Sequence, residues 1–314
     1  MTRRPPLSPG DVLSYSSGAE RRDPYGFRIA KPGGNLLGLI QSRWPRLVQS
    51  FRGRMPMVIN TYPAFIGAFD FGVLVDSYLS YTTASRALHL AHLEGLPVML
   101  LGQPLYVAHL LNQHINQGHP TPDTILLGMG GYQAPRSLES FLEGLGQSRG
   151  ISLSRLYGYG VAEVDAACLI AVGRNASNEL VYERRGPDVE VSLVGEDLLL
   201  SLKDSSGGYV MERVPTGDKG RSEGDGYVIW NPTRLHRDVA AILESFTEDD
   251  WRRRTGYLHY GQVFRVQLRK GMEPRMPFEV EFYEYARQFG HSWLFKPQWN
   301  HLGGGEKISR RTLI

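Results

Sequence analysis

Short apolar runs alternate with longer amphipathic stretches from Met57 onward, a rhythm that a sheet covered by helices satisfies. Met57 to Asn60 and Val98 to Leu101 read as short buried strands, and Ser77 to Glu94 between them carries helical spacing that Gly95 and Pro97 end. The pattern repeats with a helix over Pro104 to Asn116, a strand over Thr124 to Met129 and a helix over Arg136 to Leu145. The fold class is therefore α/β, a large layered domain of sheet and covering helices. From Asn178 to Val214 the rhythm changes to strand runs at Leu180 to Glu183, Val189 to Val194 and Leu198 to Lys203, separated by turn residues. Asn231 and Pro232 break the chain, and a helix (His236 to Ser245), a strand (Gln262 to Leu268) and a helix (Pro277 to Phe289) follow. The expected organisation is a large domain over residues 1–232 and a small C-terminal α/β domain over 233–314.

Composition narrows the function classes. The 314 residues carry 35 basic and 32 acidic side chains, a formal charge of +3 that gives no electrostatic footprint for nucleic acid. Arg252, Arg253 and Arg254 read as a solvated helix face. The longest apolar runs, such as Leu96 to Leu101, are far below the roughly 18 residues that span a bilayer, so no membrane partner is expected. Met1 to Gly10 lacks the apolar stretch of a secretory signal, and the expected location is the cytoplasm. The single cysteine, Cys168, reads as a buried small hydrophobe. His89 and His92 share a helix face, but no neighbouring carboxylate or cysteine completes a metal-ligand spacing, and they read as solvated. No Gly-x-Ser-x-Gly elbow of a serine hydrolase occurs.

Three separated segments carry the chemistry. The first is Tyr159-Gly160-Val161-Ala162-Glu163. About 55 residues later come Val214-Pro215-Thr216-Gly217-Asp218-Lys219 and Asp225-Gly226-Tyr227. The third ends the chain, as Gly304-Gly305-Glu306-Lys307-Ile308-Ser309-Arg310-Arg311-Thr312-Leu313. From the residues alone, the first is a strand-to-turn connection, Gly217 and Gly226 serve turns, and the last is a basic tail. Their order and spacing, however, resemble the signatures of the adenylate-forming superfamily of acyl-CoA synthetases, peptide-synthetase adenylation domains and luciferases. In compactness the chain is most similar to phenylacetate-CoA ligases and acyl-protein synthetases.

The resemblance implies a role for each matching residue. Tyr159 would lie against adenine, with Gly160, Gly130 and Gly131 shaping that site. Glu163 would hold Mg²⁺, whose hardness suits carboxylate and phosphate oxygens. Asp218, an acceptor-only carboxylate, would take the two ribose hydroxyls, and Arg234 would contact the nucleotide. Lys307, on the small lid domain, would meet the reacting carboxylate and α-phosphate, where negative charge develops. Tyr62-Pro63-Ala64-Phe65 with Phe69 and Phe71 corresponds to an aromatic strand beside the acyl pocket, or to ordinary core.

Ser16, Ser17 and Gly18 match the opening of the phosphate loop, but Ala19, Glu20, Arg21, Arg22 and Asp23 follow where the family has its glycine-rich cradle. Ala162 replaces a threonine, and the hinge is reduced to Asn231-Pro232-Thr233-Arg234. The first part of the family's large domain has no counterpart, which leaves a sheet edge open to a partner.

The implied function is ATP-dependent, AMP-forming activation of a small carboxylic acid as its acyl-adenylate. The acyl group would then pass to coenzyme A, an acyl-carrier protein thiol or an amine. Beside it stand a homologue that binds an adenylate, an acyl group or a protein partner without forming the adenylate, and a pocket that condenses a pre-activated acid. A homo-oligomer is left open.

Overall fold

The structure, a computed structural model, describes residues 12–15, 27–30, 36–62, 72–77, 80–131, 133–161, 164–204, 206–230, 243–259, 261–265 and 293–297. A hairpin of β1 (Val12–Tyr15) and β2 (Phe27–Ala30) precedes α1 (Leu36–Arg43) and the single turn α2 (Pro45–Val48). Then come β3 (Met57–Asn60), β4 (Val73–Asp76), α3 (Tyr81–Leu93), β5 (Val98–Gly102), α4 (Pro104–Asn116), β6 (Thr124–Gly130), α5 (Arg136–Ser148) and β7 (Ser152–Val161). The chain continues through β8 (Asp165–Ala171), β9 (Val181–Arg184), β10 (Val189–Val194), β11 (Asp197–Lys203), β12 (Tyr209–Glu223) and β13 (Gly226–Trp230). Helix α6 (Glu248–His259) and a hairpin of β14 (Gly261–Arg265) and β15 (Trp293–Pro297) complete the described elements.

Among the described residues eleven strands form one mixed sheet, in the order β10-β11-β12-β13-β9-β8-β7-β6-β5-β3-β4. The five strands from β7 to β4 run parallel. Here every residue of β3, β5 and β6 is buried, because both faces are covered. Alternate side chains divide between two cores. Met57, Ile59, Leu100, Ile125 and Leu127 join the side chains of α3, α4 and α5, whereas Val58, Met99 and Leu126 meet Ile40 of α1 and Val48 of α2. Full burial of a side chain of this kind contributes roughly 1.5–3 kcal/mol.

The helical readings between Ser77 and Leu145 hold with shifted ends. The helix expected from Ser77 begins at Tyr81, because Ser80 is its N-cap and accepts from the Thr83 N–H at 3.3 Å. Ser77 instead closes β4, donating its hydroxyl to the Asn60 carbonyl at 2.9 Å. Pro104 opens α4 at a position where a missing N–H is harmless. At the start of α5, Pro135 offers no side-chain cap, and Glu244 supplies one from far along the chain by accepting from the Arg136 and Ser137 N–H groups at 2.7 and 3.1 Å.

The other half of the sheet is antiparallel. Here the expected turn at Gly217 is corrected, since Val214 to Lys219 lies inside the continuous strand β12. The hairpin turn that follows is at Gly224 and Asp225, and Gly226 opens β13. Gly226 serves close packing instead, because a Cβ there would stand 2.7 Å from Val181 Cγ1 and 2.8 Å from the Tyr182 carbonyl oxygen.

Helix α6 carries the Arg252-Arg253-Arg254 run that the sequence places on a helix face, but its inward side was not anticipated. Trp251 on it is fully buried and donates Nε1–H to Ser137 Oγ at 3.0 Å, and Asn112 Nδ2 of α4 donates to the Arg252 carbonyl at 2.9 Å. The α6 segment of the expected small domain is thus seated on α4 and α5. Arg252 and Arg253 are exposed, as a solvated helix face requires, and Cys168 is fully buried. Most of the helix expected over 236–245, and all of that over 277–289, lies outside the described residues. Among the described residues no helix is long and apolar enough to cross a membrane.

Candidate functional site

Two of the three sequence segments meet. Tyr159 on β7 donates its hydroxyl to Asp218 Oδ2 on β12 at 2.6 Å. In the sheet order β12 is four places from β7, with β13, β9 and β8 between them. At about 4.8 Å per strand a flat sheet would hold them about 19 Å apart. The sheet therefore folds over on itself. It can do so because β9, only four residues long, is held to each neighbour by two paired positions, Leu169↔Arg184 and Ile170↔Glu183 on one side and Tyr227↔Tyr182 and Val228↔Val181 on the other. A second link crosses the fold where Gln133 Nε2, just after β6, donates to the Ile229 carbonyl of β13 at 3.1 Å.

A bulge aims Asp218. Between the pairs Leu199↔Pro215 and Asp197↔Lys219, β12 has two residues more than β11. Gly217 takes a φ of +79°, a conformation suited to a residue without Cβ. Thr216 Oγ1 donates to the Leu198 carbonyl at 2.9 Å and accepts from the Asp218 N–H at 3.1 Å, which locks the bulge. The result turns Asp218 inward, 1% exposed, while Lys219 pairs with Asp197 at 2.6 Å on the surface.

Next to Tyr159, on the other face of the sheet, β6 and β7 carry glycine. Gly130 ends β6 and is the Cα partner of Gly158 on β7. A Cβ on Gly130 would stand 2.6 Å from the Gly158 carbonyl oxygen and 2.7 Å from the Tyr62 hydroxyl, so backbone and aromatic ring approach as only glycine permits. Gly131 follows with a φ of +92° beside Gln103. Tyr62 with the two glycines lies on one face of these strands and Tyr159 with Asp218 on the other, near the carboxyl ends of parallel strands, where open α/β sheets bind ligands. Gly160 lies in β7 next to the register shift between Tyr159 and Val161.

Tyr182, which sequence reasoning missed, stands edge-on to Tyr159 with ring centroids 6.0 Å apart. Burial, with the negative charge of Asp218 and Glu139 behind it, pushes its hydroxyl pKa up, so it remains a neutral phenol. Also missed was a buried network next to this wall. Glu139 of α5 accepts from Tyr157 and from the Nε and Nη2 of Arg174, and Arg174 Nη2 also donates to the Ala134 carbonyl at 2.8 Å. Burial and the charge of Glu139 raise the Tyr157 pKa. Tyr157 and Tyr159 share one face of β7, so Tyr157-Gly158-Tyr159-Gly160 held a period-two signal for both. A polar cleft of about 630 Å³ lies along α5 and the first half of β7, lined by Arg136, Glu143, Arg155, Arg174 and Tyr157 among others. Its lining includes neither Tyr159 nor Asp218.

Of the predicted site residues, Gly130, Gly131, Tyr159, Gly160 and Asp218 are therefore placed, and Tyr159 and Asp218 are in contact. Ser16, Ser17, Gly18, Glu163, Arg234 and Lys307 lie outside the described residues, as do Pro63, Ala64, Phe65, Phe69 and Phe71. The Val164 N–H donates to the Val161 carbonyl at 2.9 Å. At the start of β8, Asp165 pairs with Arg185 at 2.8 Å, and Arg185 also pairs with Asp188 at 2.7 Å. Burial opposes the charge of Arg185, but Asp165 and Asp188 outweigh it and hold the guanidinium pKa above its usual value.

His92 is exposed and its Nδ1 meets the Thr121 carbonyl at 2.9 Å. His114 is instead fully buried, with Nδ1 2.8 Å from Ser85 Oγ and Nε2 3.0 Å from the Pro120 carbonyl. Among the described residues no group of three or more histidine, cysteine or carboxylate side chains is arranged to hold a metal ion.

No protein-family model matches the chain, and no curated protein does. Solved structures do. The anthranilate CoA ligase AuaEII, in complex with anthranoyl-AMP, is 13% identical with a TM-score of 0.47, over 93% of this chain and 64% of that one. A benzoate CoA ligase from Burkholderia xenovorans LB400 is 14% identical with a TM-score of 0.38, over 77% and 58%. The amide bond synthetase McbA from Marinactinospora thermotolerans is 15% identical with a TM-score of 0.35, over 62% and 44%. The chain spans less than two-thirds of the length of each of these structures.

Proposed function

We propose that the chain is an ATP-dependent, AMP-forming ligase that activates a small carboxylic acid as its acyl-adenylate. The observation that carries this reading is the contact of Tyr159 with Asp218, which joins two motifs separated by 59 positions beside the Gly130–Gly158 wall. Motif order alone does not require such a meeting.

In the proposed reaction a carboxylate oxygen of the acid attacks the α-phosphorus of ATP and pyrophosphate leaves. A thiol of coenzyme A or of a carrier protein, or an amine, then attacks the acyl carbon and AMP leaves. Asp218 takes the ribose hydroxyls, Tyr159 faces adenine, and Gly130 and Gly131 let the base approach the backbone. Ser16, Ser17 and Gly18 meet the outer phosphates, and Arg234 contacts the nucleotide. Lys307 meets the charge that develops on the reacting oxygens. Glu163 is the carboxylate that would hold magnesium together with the nucleotide phosphates, and that ion would neutralise their charge. The small domain, residues 233–314, acts as the lid that brings Lys307, with α6 seated on the large domain. The enzyme works in the cytoplasm.

The absence of a glycine cradle after Gly18 favours a second reading in which the chain binds an adenylate without making it. Pyrophosphate exchange into ATP, measured against a panel of acids, separates the two. Acid-dependent exchange establishes the ligase, and saturable AMP or acyl-AMP binding without exchange establishes the second reading.

A further inference from the structure

We infer that the Tyr159 hydroxyl is a latch on the nucleotide site: it occupies Asp218 Oδ2 when the site is empty and must be displaced by the ribose. The inference rests on the proposal that Asp218 is the ribose acceptor, and adds to it a residue that sets how tightly a nucleotide is held.

Three observations carry it. Asp218 is 1% exposed, so a ribose cannot reach both of its oxygens unless something over it moves. Tyr159 approaches it at 2.6 Å and is itself half-buried, so its hydroxyl can swing off the carboxylate while the ring stays at the site. The carboxylate does not move in its place, because Gly217 and the two bonds of Thr216 Oγ1 fix the bulge that aims it. Tyr182, edge-on to Tyr159, supports the ring in its closed position.

The energetics give the latch a sign opposite to that of an ordinary binding contact. The phenol bond to a buried carboxylate stabilises the empty, closed state, and a nucleotide that needs the open state binds more weakly by the closed fraction. Removing the hydroxyl while keeping the ring therefore tightens binding. A hydrogen bond to a charged group contributes enough to predict about a tenfold gain in AMP affinity for Tyr159→Phe.

The test is calorimetric titration of AMP into the wild-type chain and Tyr159→Phe, after thermal melting has shown both folded. Tighter binding by the variant, or binding by the variant alone, supports the latch. Binding by the wild type with equal or weaker binding by the variant overturns the latch and leaves the nucleotide site standing. Binding by neither removes the nucleotide reading, and the latch with it. Should the variant not fold, the wild type decides: displacement of Tyr159 from a carboxylate gives a tyrosine difference spectrum on addition of AMP. A flat spectrum at saturation overturns the latch.

Discussion

Gly130 and Gly158 lie side by side across the parallel pairing of β6 and β7, so close that a Cβ on Gly130 would stand 2.6 Å from the Gly158 carbonyl oxygen. The relationship is not symmetric. A Cβ on Gly158 would meet nothing nearer than the Ala167 Cβ at 3.4 Å, an ordinary contact. Gly130→Ala must therefore push apart backbone and the Tyr62 ring, and is expected to lower stability by about 1–3 kcal/mol. Gly158→Ala, in an extended strand with room for a methyl group, should stay within about 1 kcal/mol of wild type. Urea unfolding of the two variants checks the ordering, and equal losses would contradict the close approach. AMP titration of the same proteins adds a functional reading, because displacement of Tyr62 and β7 should also weaken nucleotide binding by Gly130→Ala.

Stability should depend on pH through His114. The Pro120 carbonyl can only accept, so Nε2 carries a proton; burial favours the neutral ring, in which Nδ1 accepts from the Ser85 hydroxyl. Burial first, and then the nearby His119 and His89, lower its pKa in the folded chain, and burial lowers that of His109 as well. A folded pKa below the unfolded value near 6.5 means that the unfolded chain binds the proton more readily. The stability that His114 contributes is complete above pH 6.5 and declines as the pH falls from there through the depressed folded value. Denaturant midpoints measured on both sides of that pH should show the decline, and His114→Gln should make the curve shallower. His109 keeps part of the slope. A His114→Gln curve parallel to wild type would place the titration elsewhere.

What the sequence revealed and what it hid follow from how local each feature is. Strands β3, β5 and β6 were legible because a strand covered on both faces must be apolar throughout, and α4 because Pro104 marks its first turn. Of strand β7 only the end was read, as a strand-to-turn connection at Tyr159: Ser152, Ser154, Arg155 and two glycines dilute its apolar signal, and its place depends on pairing with β6 and β8. For the same reason Val214 to Lys219 looked like a loop. Proline and glycine usually end strands, but here Gly217 sits in a bulge held by Thr216 and by pairing on both sides. Of the site, Tyr159, Gly130 and Asp218 were legible through motifs. The meeting of Tyr159 with Asp218 required the sheet to fold at β9, which no single segment encodes. Tyr182, Glu139 and Arg174 were invisible because each owes its role to partners from distant elements.

Asp218→Ala tests the acceptor itself. If Asp218 takes the ribose, loss of the carboxylate leaves two hydroxyls without their partner, and it also removes the bond that closes Tyr159 over Asp218. The two effects oppose each other, and the first dominates because the hydroxyls remain within the site. AMP affinity should fall by about 1–3 kcal/mol, measured by calorimetry on a variant shown to be folded. Unchanged affinity would remove Asp218 from the nucleotide site.

Lys307 separates chemistry from binding. If the ammonium meets the reacting carboxylate and α-phosphate mainly as negative charge develops, its contribution belongs to the transition state. Lys307→Ala should then slow adenylate formation about 10²- to 10³-fold while ATP and acid bind nearly as before. A melting temperature close to that of the wild type shows that the variant is folded and keeps the comparison clean. Single-turnover rates with an acid that supports pyrophosphate exchange give the first quantity, and equilibrium titration gives the second. Equal rates for the two proteins would reduce the Gly305-Glu306-Lys307 match to a basic tail. A loss of binding as large as the loss of rate would instead make Lys307 a ground-state phosphate contact, placed on the nucleotide before any chemistry begins.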